Sequence, residues 1–435
     1  MALSTNLQSY YKFEGNSNDA VGSANGTDTS ITYNTGNGVI SQGAGFGGSS
    51  LINLGNTQNF TTGAFSVAGW FKCPNKTTYR QIIGKTQSAG TPDWGLRAES
   101  GTGHAQFIVT QSGGGADSVT GSIDICDGNW HHVVALRDGS FLRLYVDGVA
   151  DGTATDNARN CSNSLNCKFG IDDGGNFQVP NGTTFDEWGI WSRGITAAEV
   201  TQLFNNRIAL GYPFTGVIYD NATYSAVSSA APTKTFAHTV TTNSDRILFV
   251  TACEQSGQSI SGVTYNGVAM TKLGEKVQTG GGVRVSLWYL FAPATGTNNV
   301  VITANATHNI VGYAASYYQA DTVNTPSFVA TGDPSNTVTS LTQTITNSLN
   351  GCLAISGIIA ASGSALTAGT ATGILFQPEV LAFGNALIES SVAQVTAGSQ
   401  SLIVTSSAQI LVGVMATFGP VVAASTRNSN FFAFF

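Results

Sequence analysis

The stretch Gly128–Gly148, GNWHHVVALRDGSFLRLYVDG, constrains the fold of this chain more than any other. Two runs of alternating polarity meet at Asp138-Gly139, and a second Asp-Gly closes the stretch at Asp147-Gly148. An Asp-Gly pair between alternating hydrophobic runs predicts a β-hairpin, because such turns need backbone conformations with positive φ that glycine adopts without strain. Val133, Ala135, Leu142, Leu144 and Val146 supply the apolar positions, and Trp130 and His131 stand where the first strand begins. Period-two patterning of this kind excludes an amphipathic helix here.

Composition extends that reading to the whole chain. Its 435 residues exceed the usual single-domain range, so two domains are expected. With 52 glycines, abundant Thr, Ser, Asn and Val, and only 10% charged residues, the chain describes many short strands joined by turns. The one helical segment expected is Ile195–Arg207, where Thr196 can cap and Glu199 follows three residues on as in a capping box. A helix ending near Arg207, followed by Gly211-Tyr212-Pro213, places a domain boundary there. The expected organisation is 1–212, then 213–420, then a tail over 421–435. From Gly216 the strand pattern restarts, with runs such as Ile247–Ala252 and Cys352–Ala361 apolar on both alternating faces. Asn266-Gly267 marks another tight hairpin. No fixed period links the two halves, which reads as two unrelated sandwiches.

The hairpin and three further pieces resemble the laminin-G-like, concanavalin-A-like jelly roll. YYKFEGNSNDAVGSANGT (10–27) resembles the family's opening strand and turn. FTTGAFSVAGWFKC (60–73) resembles its early core strand, with Trp70 as the buried aromatic. FDEWGIWSRGITAAEVTQLFN (185–205) resembles its closing strand and short helix. The resemblance implies an all-β first half, and it is specific for fold rather than function, since such folds host lectins, hydrolases and architectural modules. The second half, with DRILFV, VTYNGVAMTKLG and LWYLFAPATGTNNVVIT in order, resembles a β-sandwich recurrent in phage structural proteins and bacterial surface proteins. Together these imply two tandem antiparallel β-sandwiches, the first a concanavalin-A-like jelly roll.

The glucanases that share the jelly roll place acid and nucleophile two or four residues apart on one strand, and retaining hydrolysis needs carboxylates about 5 Å apart. The first half contains only Glu14, Glu99, Glu187 and Glu199 as glutamates, none so arranged, and adjacent Asp186 and Glu187 would face opposite sides of a strand. The same alternation separates His131 from His132, one of which is expected to satisfy a buried hydrogen bond. A non-enzyme is therefore expected. The net charge of −7 disfavours nucleic acid, which needs clustered Lys and Arg.

Calcium is the cofactor that the resemblance implies, with Asp19 and Asp186 as the matching acidic residues and the Gly22 carbonyl completing an oxygen shell. The alternative for Asp19 is an Asx-turn to its own backbone. A glycan site needs an exposed aromatic beside amides and carboxylates. Trp94, with Asp93, in the loop Thr91–Gly95, and the loop bearing Asp172, Asp173 and Asn176, are the expected components. Of the six cysteines, Cys161 and Cys167 could close a small ring, and the other four read as core thiols.

Residues 213–435 hold 6 Lys+Arg and 8 Asp+Glu, far below the usual share for a soluble domain. Two readings stay open: a sandwich coated in hydroxyls, or surfaces buried against other subunits. The chain ends FFAFF, and Phe431, Phe432, Phe434 and Phe435 after a polar spacer are expected to anchor it to a neighbour. No secretory pattern opens the sequence, and no stretch reaches the length of a membrane span. These features point to a virion structural protein, such as a capsid decoration, fibre or tail component, that displays a lectin-like domain on the particle surface. Its partners would be other virion subunits or copies of itself, and host-surface polysaccharide. The alternative is an extracellular, cell-surface adhesin or filament subunit that binds polysaccharide.

Overall fold

A computed structural model describes residues 2–87, 93–112, 115–207, 209–225, 230–255, 259–279, 282–332, 337–347, 351–361, 366–368, 372–381, 384–391 and 398–421. The chain divides into two compact units that meet between Phe214 and Thr215, next to the Pro213 that the sequence places at its boundary.

The N-terminal unit is an antiparallel jelly roll. From one end of its sheet, the neighbours run Val149–Thr155, Phe141–Val146, Trp130–Arg137, Phe65–Lys72, Thr183–Trp191 and Gly43–Asn53. They continue through Lys168–Phe169, Arg80–Lys85, Asp93–Ala98, His104–Thr110 and Ala116–Asp124. The sheet rolls until its two ends meet, where Ser122 donates from its backbone N and its Oγ to Asp151 Oδ1, each at 2.9 Å. The reason is the period-two pattern. Strands such as His104–Thr110 alternate half-buried and buried residues, and Phe107, Val109, Leu142 and Leu144 turn into one continuous core.

The turns follow the sequence closely. Trp130–Arg137 and Phe141–Val146 pair as expected, with Asp138 Oδ1 accepting from the backbone N of Ser140 and Phe141, and Gly139 at φ 94°. Asp147-Gly148 sits at φ 49° and 78°, and Asn266-Gly267 at 48° and 76°, the paired positive values of a type I′ turn. The helix spans Ala197–Phe204, and the Thr196 and Glu199 capping box is formed in both directions.

The C-terminal half is antiparallel β, as expected, and resolves into two sandwiches of the same design. In the first, a sheet of Ile218–Tyr224, Ile310–Tyr318, Ile247–Gln255, Val283–Phe291 and Thr271–Val277 faces one of Ala231–Val240, Gly296–His308, Ile260–Tyr265 and Val268–Ala269. In the second, Ser327–Thr331, Leu411–Phe418, Leu353–Ala360, Gly384–Ser391 and Thr372–Leu381 face Val338–Asn347, Gly398–Gln409 and Leu366–Ala368. Apart from the short Val268–Ala269 strand, each strand of the first has a counterpart of the same chain order and sheet position in the second. NNVVITANATHNIVGYAASYY and SQSLIVTSSAQILVGVMATF show the copy in sequence, while unlike loops hide it elsewhere.

The two sandwiches pack through their five-stranded sheets. Phe418 of the second lies 4.7 Å from Phe249 and 4.9 Å from Tyr317 of the first, and Gly357 leaves the room that the Thr251 methyl occupies. Ile310–Tyr318, Leu353–Ala360 and Leu411–Phe418 are consequently buried along both faces. Much of the charge poverty therefore has an origin inside the chain: these strands bury one face against their own partner sheet and the other against the copy. The outer sheet of the second sandwich shows the hydroxyl coat instead, with Thr342, Thr344 and Thr346 exposed and Thr344 Oγ1 2.8 Å from Ser401 Oγ. Phe431, Phe432, Phe434 and Phe435 lie outside the described residues.

Candidate functional site

On the jelly roll, the loop after Lys168–Phe169 is folded by its own side chains. Asp172 Oδ1 accepts from the Asn176 backbone N, and Gly175 takes φ 83° to close the turn. Phe177 then holds φ 56°, a conformation that costs a bulky L-residue about 1–2 kcal/mol. It is kept there by Gln81 N donating to Phe177 O at 2.8 Å, and by Gln178 Nε2 donating to Ser50 O at 2.7 Å. The strained backbone presents the Phe177 ring outward at 40% exposure, opposite Tyr79 at 39%. Their ring centres are 6.1 Å apart at 73°. The touching rings line a cleft of about 460 Å³ whose remaining lining is Thr78, Arg80, Ser100, Asn176 and Gln178. Two exposed aromatics beside amides, hydroxyls and a guanidinium, on loops braced by a rigid sheet, form a surface for a flat, hydroxylated ligand.

Arg80 is fixed in the wall of this cleft. It donates to Gln178 O at 3.2 Å, Asn75 Oδ1 at 3.2 Å and Thr77 Oγ1 at 3.0 Å, all neutral acceptors. Its Nε is buried with no partner. Arg97 lies over the Tyr79 ring at 5.3 Å and donates to Gln106 Oε1, which stiffens the platform from behind.

Of the expected glycan residues, only Asn176 lines this cleft. Trp94 is not a platform: it belongs to the strand Asp93–Ala98, is fully buried, packs against Phe60 and Phe65, and donates from Nε1 to Gln58 O. The alternation of Trp94, Leu96 and Ala98 is the signal that placed it inward. Asp93 is buried beside it and accepts from the Thr110 hydroxyl, burial raising its pKa. Asp172 is buried in its loop, and Asp173 pairs with Lys168 at 2.7 Å, so both carboxylates shape the loop rather than face a ligand. Tyr79 and Phe177 are absent from the sequence reading because each stands alone in a polar turn. A lone aromatic between polar residues, Thr78 and Arg80 for Tyr79, Asn176 and Gln178 for Phe177, is the trace they leave.

The carboxylates expected to hold calcium accept hydrogen bonds from backbone N–H groups in this structure. Asp19 Oδ1 accepts from the backbone N of Tyr10, Val21 and Gly22, each at 3.0 Å, and Oδ2 accepts from Ala24 N at 3.2 Å. This is the Asx-turn alternative, with four N–H dipoles where a cation would need open oxygens. Gly22 serves it by lacking a Cβ, which would strike Gln8 O and Asp19 Oδ2. Asp186 is fully buried and accepts from Val39 N at 2.7 Å and Ile40 N at 2.9 Å. Among the described residues, no group of three or more His, Cys, Asp or Glu side chains could hold a metal. The melting temperature of the protein is expected to be the same in millimolar calcium and in chelator; a rise of several degrees in calcium would show a site these residues do not form.

Asp186 and Glu187 do not alternate as a regular strand would place them. Glu187 sits at φ 52°, and the pairing to Phe65–Lys72 shifts register between Asp186 and Gly189. A bulge thus turns both carboxyls into the fold. Burial, then the neighbouring charge of Glu187, holds the Asp186 pKa well above the usual range, and burial pushes Glu187 up to about 8. Tyr10 Oη donates to Glu187 Oε2 at 2.7 Å, and Tyr212 and Phe214 pack on the Tyr10 ring. A pair so enclosed is raised in pKa as catalytic acids are, but offers a glycosidic bond no access.

The histidines follow the expected alternation. His131 stands 3.1 Å from both Asp127 and Asp147; burial opposes its charge, yet the two carboxylates outweigh it and raise its pKa. His132 packs on Trp70, and burial lowers its pKa to about 4. Cys161 and Cys167 do not close a ring: all six cysteines are buried free thiols, burial pushing these two up to about 11 and about 12. A second groove, of about 270 Å³ and lined by residues such as Asn37, Asn181 and Thr184, has only the buried Phe46 as an aromatic. Among the described residues, no helix is long and apolar enough to cross a membrane.

The fold and the rolled sheet define a lectin-like jelly roll. Residues 46–201 match the family model of the concanavalin A-like lectin/glucanases superfamily. Among solved structures, the binding domain of Paraclostridial mosquitocidal protein 1 is similar at 16% identity, TM-score 0.41, over 54% of this chain and 62% of that one. The chain thus spans less than two thirds of that structure's length. The binding domain of botulinum neurotoxin serotype G is similar at 12% identity, TM-score 0.39, over 67% of this chain and 81% of that one. Domain 4 of an extracellular arabinanase from Geobacillus stearothermophilus, solved with arabinotriose, is similar at 21% identity, TM-score 0.38, over 45% and 96%. Likenesses of this level say nothing about ligand. No curated protein matches the sequence.

Proposed function

We propose that this chain is a non-enzymatic structural protein that displays a glycan-binding jelly roll, with the tandem C-terminal sandwiches as its mount. The observation that carries the binding role is the cleft between Tyr79 and Phe177. Two aromatic rings are held exposed, Phe177 at the cost of a strained backbone, beside Asn176, Gln178 and Ser100, which supply the hydrogen bonds that sugar hydroxyls need. The non-catalytic role is supported by the enclosure of the acid pair, Asp186 and Glu187. A place on a particle, with a virion as the leading setting and a cell-surface filament as the other, is supported by the tandem sandwiches of the second half, whose sequence resembles those of phage structural and bacterial surface proteins.

The test is a glycan array followed by titration calorimetry on the best ligand. Tyr79→Ala and Phe177→Ala should each weaken binding by roughly ten- to hundredfold, the loss of one buried aromatic contact. Both side chains are exposed, so the melting temperature should barely move. Unchanged affinity in both variants would remove the cleft as the binding site. Release of reducing ends from the bound polysaccharide would overturn the non-catalytic role.

A further inference from the structure

We infer that the cleft selects an acidic glycan, one whose sugar ring carries an anionic substituent; this rests on the Tyr79 and Phe177 cleft being the binding site. The observation is the state of Arg80. Three of its N–H groups are held by neutral oxygens, the Gln178 carbonyl, Asn75 Oδ1 and Thr77 Oγ1, and its Nε is buried with no partner. No ion pair joins Arg80 to any carboxylate among the described residues. Elsewhere on the jelly roll, buried and partly buried arginines are neutralised: Arg137 by Asp156, Arg193 by Glu199, Arg159 by Asp117. A guanidinium fixed in a cleft wall without a counter-charge is an exception that calls for an outside anion.

Arg97 strengthens the case independently. It lies over the Tyr79 ring, donates to the neutral Gln106, and likewise has no ion pair among the described residues. Arg80 in the cleft wall and Arg97 behind the Tyr79 ring are thus two cations without an ion pair among the described residues. Neighbouring acids are engaged otherwise: Glu99 with Gln106 and Thr120, Asp172 with the Asn176 backbone, Asp173 with Lys168, and Asp124 with Lys76. A low-dielectric aromatic wall raises the attraction of such charges for an anion held against it. The sugar ring would lie on the aromatics while its acid group meets Arg80.

The experiment compares three probes on the full chain: polygalacturonate, the same polymer with its carboxyls reduced to alcohols, and dextran sulfate. Polygalacturonate should bind about tenfold or more tightly than its reduced form, the factor expected of one charge-assisted contact. That margin should shrink between 50 and 500 mM salt as screening sets in. Arg80→Gln should abolish the margin between the charged and the reduced polymer. Because Arg80 also braces the Gln178 loop, Arg97→Gln is measured in parallel and should narrow the same margin with no change in circular dichroism. Tighter binding of dextran sulfate than of polygalacturonate would assign the anion to sulfate and support the class. Equal binding of the charged and reduced polymers, with Tyr79→Ala still abolishing both, would overturn the acidic preference and leave the cleft standing. Binding that neither Tyr79→Ala nor Phe177→Ala affects, or no binding of any probe, would overturn both.

Discussion

Asp156→Ala should destabilise the jelly roll by about 3–5 kcal/mol, the largest loss expected of any single change considered for this protein. Arg137 is completely buried at the end of the strand Trp130–Arg137. Its Nε meets Asp156 Oδ2 at 2.6 Å and its second terminal nitrogen meets Oδ1 at 2.9 Å, a bidentate pair. The remaining terminal nitrogen donates to Thr61 O at 3.0 Å and Arg159 O at 2.7 Å. The guanidinium thus ties two loops to the sheet, and Asp156 Oδ1 also orders the turn by accepting from Ala158 N at 2.9 Å. Alanine at 156 would strand a positive charge in the core, whose cost in a low-dielectric interior far exceeds the net worth of the pair. Urea unfolding of the full chain, followed at the transition of the N-terminal unit, measures it. The double variant Arg137→Met with Asp156→Leu should recover most of the loss, since it removes both charges together. A loss under about 1 kcal/mol in the single variant would mean that water reaches Arg137 and screens it.

The ease with which different parts of this protein can be read from sequence follows the range of the interactions involved. Asp138-Gly139, Asp147-Gly148 and Asn266-Gly267 are decided within four residues, and their positive φ values are where the residue types require them. The Thr196 and Glu199 box is equally local. The doubly apolar strands Ile310–Tyr318 and Leu411–Phe418 announce that both faces are covered, but not by what. A second copy of the same sandwich within the chain meets that need, where the composition also allowed a neighbouring subunit. The candidate site depends on the longest range of all. Trp94 is the more prominent aromatic in sequence, yet strand pairing turns it inward, whereas Tyr79 and Phe177 come together only because Gln81 N reaches Phe177 O across the rolled sheet. Asp186 and Glu187 show the same limit in reverse: period-two reasoning separates them, and one bulge with Glu187 at φ 52° cancels the alternation.

That bulge yields the second large effect. Burial raises the Glu187 pKa from 4.5 to about 8 in the folded chain, so the unfolded chain loses this proton at lower pH than the folded one. A carboxyl raised in this way favours the folded state fully below its unfolded pKa, and that contribution is lost as pH rises from about 4.5 through about 8. The jelly roll should therefore melt at a higher temperature at pH 5 than at pH 8.5. Glu187→Gln keeps an oxygen to accept the Tyr10 hydroxyl and cannot ionise. At pH 8.5 it should be more stable than the natural chain by about 2–4 kcal/mol, the equivalent of a shift of this size less the imperfect fit of the amide. At pH 5 the two should be nearly equal. Asp186 titrates with Glu187 as a pair, so part of the slope can remain in the variant, and Asp186→Asn with Glu187→Gln should flatten it further. His131, also raised, loses its contribution over the same rise in pH, which is why the difference between variant and natural chain is the quantity to follow. Melting curves from pH 5 to 8.5 decide the matter: a variant less stable than the natural chain at pH 8.5 would mean that the buried carboxylate is stabilised as an anion, most simply through the Tyr10 hydroxyl that points at it.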